Sequence, residues 1–521
     1  MKNRETDAAW AYHNGTKHSY QSVHANAHYL DWENQPMPFK IYTAIEPIAL
    51  PPQLSSSGLS ALSAISWNAV PGKVGFIPTR QTLAELLFLS AGITKRRSYP
   101  GGEMLFRAAA CTGALYHIDL YLACGDLEDL EAGVYHFSPQ DFSLRRLRAG
   151  DYRSFFVSAS GEEASMVNAS CVIVSASTFW RNAWKYQSRA YRHCYWDNGT
   201  ILANLCAVAA ARTIPAKIVL GFVDATVSQL LGLDTEREAP LSLVALGEAS
   251  SRRMGLSPPM EPVVFETAPL SKSEVDYPQM RAMHEASSLE SEEEVAAWRA
   301  RTEMAQGERI KVEGGECRLF PLQLLPDEEL SQDTIEQVII RRGSTREFSR
   351  ESITFAQLST MINCATRGLN ADFLGPQAPP LNELYLIVNA VEGLPAGAYV
   401  YRRKQNALEL LREGELRHEA GYLGLGQEIP ADCSVNVYFL TDLKHALARF
   451  GNRGYRAAQL EAAITGGKLY LAAYAQRLGA SGLTFFDDDA IEFFSPDAAG
   501  KSVMFLIALG KSIKAKKQTV G

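Results

Sequence analysis

The chain matches itself when it is shifted by 264 residues. Ala114, Leu120, Tyr121 and Leu122 fall on Ala378, Leu384, Tyr385 and Leu386. Glu128, Leu130, Ala132, Gly133 and Tyr135 fall on Glu392, Leu394, Ala396, Gly397 and Tyr399. The register persists through Arg189, Tyr191 and Arg192 on Arg453, Tyr455 and Arg456, and reaches Phe222 and Asp224 on Phe486 and Asp488. A one-residue slip then brings Ala245-Leu246-Gly247 onto Ala508-Leu509-Gly510. A period this long marks a duplicated domain, not the short repeat of a solenoid. The repeats read as 1–250 and 330–521, with a connector over 251–329. The connector holds a Ser/Pro/Gly-rich stretch, Ser250–Pro259, and an acidic run, Glu285–Glu294, read as a solvated helix face; a helix is expected around Glu292–Met304.

Composition narrows the class. A hydrophobic fraction of 46% with 21% charged residues is that of a globular chain. A net charge of −7 argues against a general nucleic-acid binder. No run of about 18 apolar residues occurs, so no membrane helix is expected. Met1-Lys2-Asn3-Arg4-Glu5-Thr6-Asp7 has no apolar core behind it, so no signal peptide is expected either. The eight cysteines, Cys317 among them, form no C-x-x-C pair. Reduced, buried thiols in a cytoplasm and no metal site are the expectation.

Leu115–Ala123, Val134–Phe137, Ala216–Phe222 and Leu241–Leu246 read as strands, and Asn198–Ala211 as a buried helix. Strands mixed with long helices in no regular alternation suggest α+β. Gly500-Lys501-Ser502 lacks the earlier glycine of a phosphate-binding loop, and Gly424-Leu425-Gly426 lacks the third glycine of a dinucleotide turn. His284-Glu285 has no second histidine at metalloprotease spacing, and His193-Cys194 reads as an ordinary partly buried pair.

The strongest local signal is Arg341-Arg342-Gly343-Ser344-Thr345-Arg346-Glu347-Phe348. In an extended segment Arg342, Ser344 and Arg346 point the same way. Guanidinium groups grip phosphate oxygens bidentately, and a hydroxyl adds a donor. An exposed basic start to a helix is the alternative reading.

This segment resembles the opening FMN-binding motif of the nitroreductase fold family, and the whole chain resembles a tandem SagB-type (thiazoline/oxazoline) dehydrogenase of that family. Arg107–Tyr116 is similar to its Arg-x-x-Pro-Ser-x-Gly-Ala-Leu-Tyr, with Ala110-Cys111 where the family has Pro-Ser. Leu130–His136 and Lys185–Arg192 carry further likeness, and Thr16–Tyr20 opens the first repeat. The resemblance implies two nitroreductase-like FMN-binding domains packed as an intramolecular pseudo-dimer, with flavin sites at their interface. Site one would take Arg341, Arg342, Ser344 and Arg346 from the second repeat as a cradle for phosphate and reduced flavin. Cys111, Thr112 and Gly113 would approach the ring, Lys185 and Tyr186 would face the substrate, and the loop from Gly479 and Ala480 to Gly482 would cover the other edge. Neighbouring Arg181, Arg189 and Arg192 would make Lys185 or Tyr186 a better base.

Site two would use the reverse parts. Setting Ser19 on Ser344 puts Lys17 on Arg342 and Gln21 on Arg346, while Gly375-Pro376-Gln377 and Arg449-Phe450 replace Cys111-Thr112-Gly113 and Lys185-Tyr186. One working site per chain is therefore expected. The implied activity is FMN-dependent oxidation of an azoline in a small molecule or modified peptide, with a possible biosynthetic partner protein. An NAD(P)H-dependent nitroreductase and an inactive scaffold are the alternatives.

Overall fold

The structure is a computed structural model that describes residues 2–25, 28–66, 76–99, 102–248, 257–302, 318–375 and 379–513. Several expectations above fall outside these residues: the stretch 250–256, Met304, Cys317, and Pro376, Gln377 and Ala378.

Each half is built on a seven-stranded sheet with the same strand order. In the first the order runs Pro47–Ala49, Ser143–Ala149, Gly133–Ser138, Ile118–Cys124, Cys171–Thr178, Glu238–Leu246, Ala216–Val219. In the second it runs Leu319–Pro321, Ala407–Glu413, Gly397–Arg402, Asn382–Val388, Val435–Thr441, Ser502–Gly510, Gly479–Leu483. Neighbouring strands are antiparallel. The central strands are buried on both faces, which is why they read as apolar runs rather than alternating ones. The segment expected as a loop at Gly479–Gly482 is instead the edge strand Gly479–Leu483, held by Ser502–Gly510.

A long buried helix crosses each half, Ala190–Ala211 and Arg453–Ala475. Both are rich in Ala and buried nearly all round, as a helix between two layers must be. They pack on each other at their small residues. Gly199 lies against Ala463, and Gly467 against Ala203. At the shift of 264 each of these residues faces its own counterpart, so a pseudo-twofold axis runs through the crossing. A Cβ on Gly467 would come within 2.7 Å of the Ala203 Cβ, so the approach requires glycine there.

Two buried ionic clamps tie the halves together. Arg189 and Arg192 of the first long-helix segment donate to Asp487 of the second half, at 3.0 and 2.6 Å. Arg453 and Arg456 donate to Asp224 of the first half, at 2.6 and 2.7 Å. The equivalent of Asp224 is thus Asp487, so the register has slipped by one residue before this point rather than at the final strand. Each aspartate also accepts a backbone N–H, from His18 at 2.8 Å and from Leu289 at 3.0 Å.

Those last contacts show where the second repeat begins. The helix Asp7–Gly15 ends under Arg192, whose Nη2 donates to the His13 carbonyl. The helix Pro278–Ala286 ends under Arg456 in the same way, through the His284 carbonyl. Thr16 Oγ1 and Ser287 Oγ accept the two Nε donors. The repeat unit therefore reaches back into 278–289, within the segment read as connector. The expected connector helix is present as Glu292–Ala300, capped by Ser291.

Burial alone would raise the Asp224 carboxyl, but Arg453 and Arg456 outweigh it and hold it at about 2. The same contest, won by Arg189 and Arg192, holds Asp487 well below the carboxylate range. Depressed folded-state values stabilise the protein above the unfolded pKa. That stability is lost as pH falls from about 4 toward about 2. We expect Asp224→Asn to cost roughly 3–5 kcal/mol, because it leaves two buried guanidinium groups without their counter-ion. Urea unfolding at neutral pH reads the loss, and the variant's acid limb should be flatter than that of the natural chain.

Candidate functional site

The walls expected for site one are the first half's loop Cys111–Ala114 and helix Phe179–Tyr186 and the second half's segment after the helix Ile335–Arg341. Arg342 joins the walls: its Nε and Nη2 donate to the carbonyls of Ala108 and Arg107 at 2.8 and 3.0 Å. Burial lowers its pKa. Arg346 reaches the first half by charge, since its guanidinium acts on the Tyr186 phenol.

The cradle residues do not share one face. Arg341 is spent on Asp333 at 2.6 Å and the Tyr474 carbonyl at 2.8 Å, and anchors its helix end. Arg342 is buried in the interface and keeps only Nη1 beyond its two carbonyl bonds. Ser344 and Arg346 are exposed. Ser344 touches the Tyr470 hydroxyl at 3.4 Å, while Arg346 has no hydrogen bond or ion pair among the described residues. Gly479 and Ala480 support the cradle from behind. The Ala480 carbonyl accepts the Thr345 N–H at 2.8 Å, and a Cβ on Gly479 would collide with Thr345.

On the opposite wall one carboxylate organises the loop. Asp197 accepts Thr112 N–H and Oγ1 at 2.9 and 2.8 Å, Cys111 Sγ at 3.0 Å and His117 Nε2 at 2.9 Å. The Tyr116 N–H in turn donates to Cys111 Sγ at 3.1 Å. Gly113 sits at φ 65° with the Tyr186 hydroxyl beside it, where a Cβ would come within 2.9 Å. Asn182 ties the loop to His193, which stands edge-on to the Tyr186 ring at 4.6 Å. The Lys185 ammonium lies 5.4 Å from the Tyr186 ring centre, and Lys185 is exposed.

Two expectations need correction. Arg181, Arg189 and Arg192 do not activate Tyr186, because Arg181 is paired with buried Asp119 and the other two with Asp487. Burial, then Asp197 and Cys111, push the phenol well above its ordinary value, with Arg346 alone opposing. The segment Lys17–Val23 is not a second cradle either. Lys17 pairs with Asp488 and His18 with Asp487, the positions equivalent to Leu289 and Asp224. By reciprocal pairing of Ser60 with Thr334, the counterpart of Ile335–Arg341 is the helix Ala61–Ser66. The sequence that follows it, Trp67-Asn68-Ala69-Val70-Pro71-Gly72, holds no arginine and lies outside the described residues.

The reverse crevice is closed. Its walls bond directly: Ile218 exchanges backbone hydrogen bonds with Asn370 and Asp372, both at 3.0 Å. The Asp372 carboxylate accepts the N–H groups of Leu220 and Gly221 at 2.8 and 2.9 Å. Trp298, 2% exposed, packs between Gly221 and the Phe450 ring and donates Nε1 to the Phe450 carbonyl at 3.0 Å. Arg449 is spent on the carbonyls of Arg301 and Thr302.

His117 and Asp197 escaped the sequence reading. The signal for Asp197 was its alignment with Glu461, an acid inside an apolar helix in both repeats; Glu461 likewise holds the segment before its central strand, through Asn382. Ligand atoms of Cys111, His117 and Asp197 lie within 4.8 Å of one another, but hydrogen bonds already satisfy the carboxylate.

Known proteins share this architecture. A nitroreductase-like protein from Anabaena variabilis of known crystal structure matches 97% of this chain and 99% of its own, at 25% identity and a TM-score of 0.75. Both halves have the nitroreductase fold. Residues 339–511 match the Nitroreductase family model. The nitroreductase-like protein MJ1384 of Methanocaldococcus jannaschii is 24% identical over 169 residues, 32% of this chain and 80% of that protein. A chain of the E. coli microcin synthetase McbBCD complex with truncated pro-MccB17 matches 40% of this chain and 79% of its own, at 24% identity and a TM-score of 0.31. The family match supports a flavin-type oxidoreductase. No helix among the described residues is long and apolar enough to cross a membrane.

Burial, then Asp197, push the Cys111 thiol well up from its ordinary value. The thiolate is the reactive form, so native Cys111 should alkylate slowly with iodoacetamide. Asp197→Asn removes the neighbouring charge and should speed that alkylation, read by mass spectrometry of the Cys111 peptide. An unchanged rate would mean the carboxylate does not control the thiol.

Proposed function

We propose that this chain is an FMN-dependent oxidoreductase with one flavin per polypeptide, bound in the open crevice. The observation that carries this is the asymmetry between the crevices. One keeps an exposed Ser344 and an exposed Arg346 that has no hydrogen bond or ion pair among the described residues. The other is closed by Trp298 and by direct bonding of its walls. The donor set suits an anionic planar cofactor. Arg346 offers a full set of donors, Ser344 a hydroxyl, and Arg342 its remaining Nη1; Arg341 is already committed.

Bound there, FMN would supply a hydride acceptor, and positive charge from Arg346 would favour its anionic reduced form. The chain's own groups divide the remaining work. Tyr186 keeps its proton over the neutral range, so it serves as a hydrogen-bond donor and not as a base. Lys185, exposed beside it, is the group left to face substrate at the rim. Asp197 holds Cys111-Thr112-Gly113 in place. The finer reading is a SagB-type dehydrogenase oxidising an azoline in a small molecule or modified peptide, supported by the Lys185-Tyr186 pair beside the cradle. The nitroreductase-like relatives favour a second reading, reduction of a nitro compound by NAD(P)H on the same flavin.

Purified protein should carry one FMN per chain, measured from flavin absorbance after denaturation. Two tightly bound flavins would overturn the single-site reading, and none would overturn the flavin reading. Lys185→Ala should keep FMN and lose azoline oxidation, whereas Arg346→Ala should weaken FMN binding and lower the flavin's reduction potential. Rapid bleaching of the flavin by NAD(P)H, with no azoline turnover, would select the second reading.

A further inference from the structure

The halves differ most at the rim of the open crevice. In the second half six residues, 366–371, lead from the helix Phe355–Ala365 to Asp372. In the first, sixteen residues, 92–107, lead from the helix Arg80–Ala91 to the equivalent Ala108. The extra length forms an antiparallel hairpin, Ile93–Tyr99 with Gly102–Arg107. The two strands make a sheet of their own, so both outer edges lack a strand partner among the described residues. An isolated two-stranded hairpin is marginal in water. Among the described residues, its hydrogen bonds to the rest of the chain lie at its base. Arg107 N–H donates to the Tyr116 hydroxyl at 3.1 Å, and Lys95 Nζ donates to the carbonyls of Arg341 and Arg342 at 3.2 Å. The hairpin therefore rises where the cradle begins.

Its exposed part is basic and partly apolar. Lys95, Arg96 and Arg97 are exposed, and Glu103 offsets only Arg96, at 3.3 Å. Arg97 has no hydrogen bond or ion pair among the described residues. Tyr99 and Met104 are 54% and 47% exposed. Arg97 and Tyr99 share a strand face by their spacing, and Met104 is the cross-strand neighbour of Arg97. Cations on an edge strand keep a second copy from pairing there, since it would bring like charge. The same cations attract an acidic strand.

We infer that the hairpin edge docks an extended acidic peptide by strand addition. Arg96 and Arg97, on opposite faces of the ribbon, meet carboxylates of consecutive peptide residues, and Tyr99 and Met104 meet its apolar side chains. Main-chain hydrogen bonds supply affinity in this mode, and alternate side chains supply selectivity. The charge on the hairpin opposes the acidity of the whole chain, −7, so the attraction is local to this rim.

The test is fluorescence anisotropy of the full chain with a labelled peptide of repeating Glu-Glu-Val-Val. It should bind the natural chain and bind the double variant Arg96→Glu/Arg97→Glu at least about tenfold more weakly, a loss of about 1.4 kcal/mol. A Lys/Val peptide should not bind. Equal binding of the variant overturns the inference. So does equal binding of the same peptide N-methylated at every backbone nitrogen, which cannot donate strand hydrogen bonds, or displacement by a free nucleotide at low concentration. Unchanged circular dichroism of the variant shows that it folds. Flavin takes no part in the readout, so failure here and failure of the flavin reading are distinguishable.

Discussion

The two aspartate clamps are what make one body of the halves. Each buries a carboxylate between two guanidinium groups supplied by the opposite half, and each is closed by a backbone N–H. Ions taken out of water at this depth are tolerable only when paired and fully hydrogen-bonded. Arg192 and Arg456 meet that condition by also donating to the carbonyls that end the helices Asp7–Gly15 and Pro278–Ala286. Non-directional burial could hold the long helices together in several registers. The clamps select one, the register in which Gly199 faces Ala463 and Gly467 faces Ala203.

Much of this was legible in the sequence. The 264-residue shift places four of the five inner strands of each sheet at corresponding positions, so the duplication follows from the repeat in the sequence. Arg342 bonds the carbonyls of Arg107 and Ala108, and the charge of Arg346 acts on Tyr186. What patterning could not show is how charge is spent. Arg341, Arg342, Arg181, Arg189 and Arg192 all looked available, and each is consumed by a carboxylate or a carbonyl tens to hundreds of residues away. Exposed Arg346 has no hydrogen bond or ion pair among the described residues. The start of the second repeat was hidden for a related reason: Asp7–Gly15 and Pro278–Ala286 share almost no residues, and their likeness lies in backbone carbonyls at their ends.

The closing of the reverse crevice has a simple local cause. The short turn 366–371 lets residues 370–372 lie along the strand Ala216–Val219, and Asp372 then satisfies two N–H groups that would otherwise face a cavity. Trp298 fills what space is left. In the first half the hairpin occupies the corresponding length of chain, and Lys95 and Arg342 make the contacts between the halves there. One difference in loop length thus sets the two crevices apart.

Covalent fusion also changes what dilution does. In a cleft shared by two separate subunits, the fraction of assembled sites falls with protein concentration. Here the walls belong to one polypeptide, and the second half is presented to the first at an effective concentration fixed by the chain itself. Affinity for whatever the cleft holds is then a property of the molecule and not of its abundance.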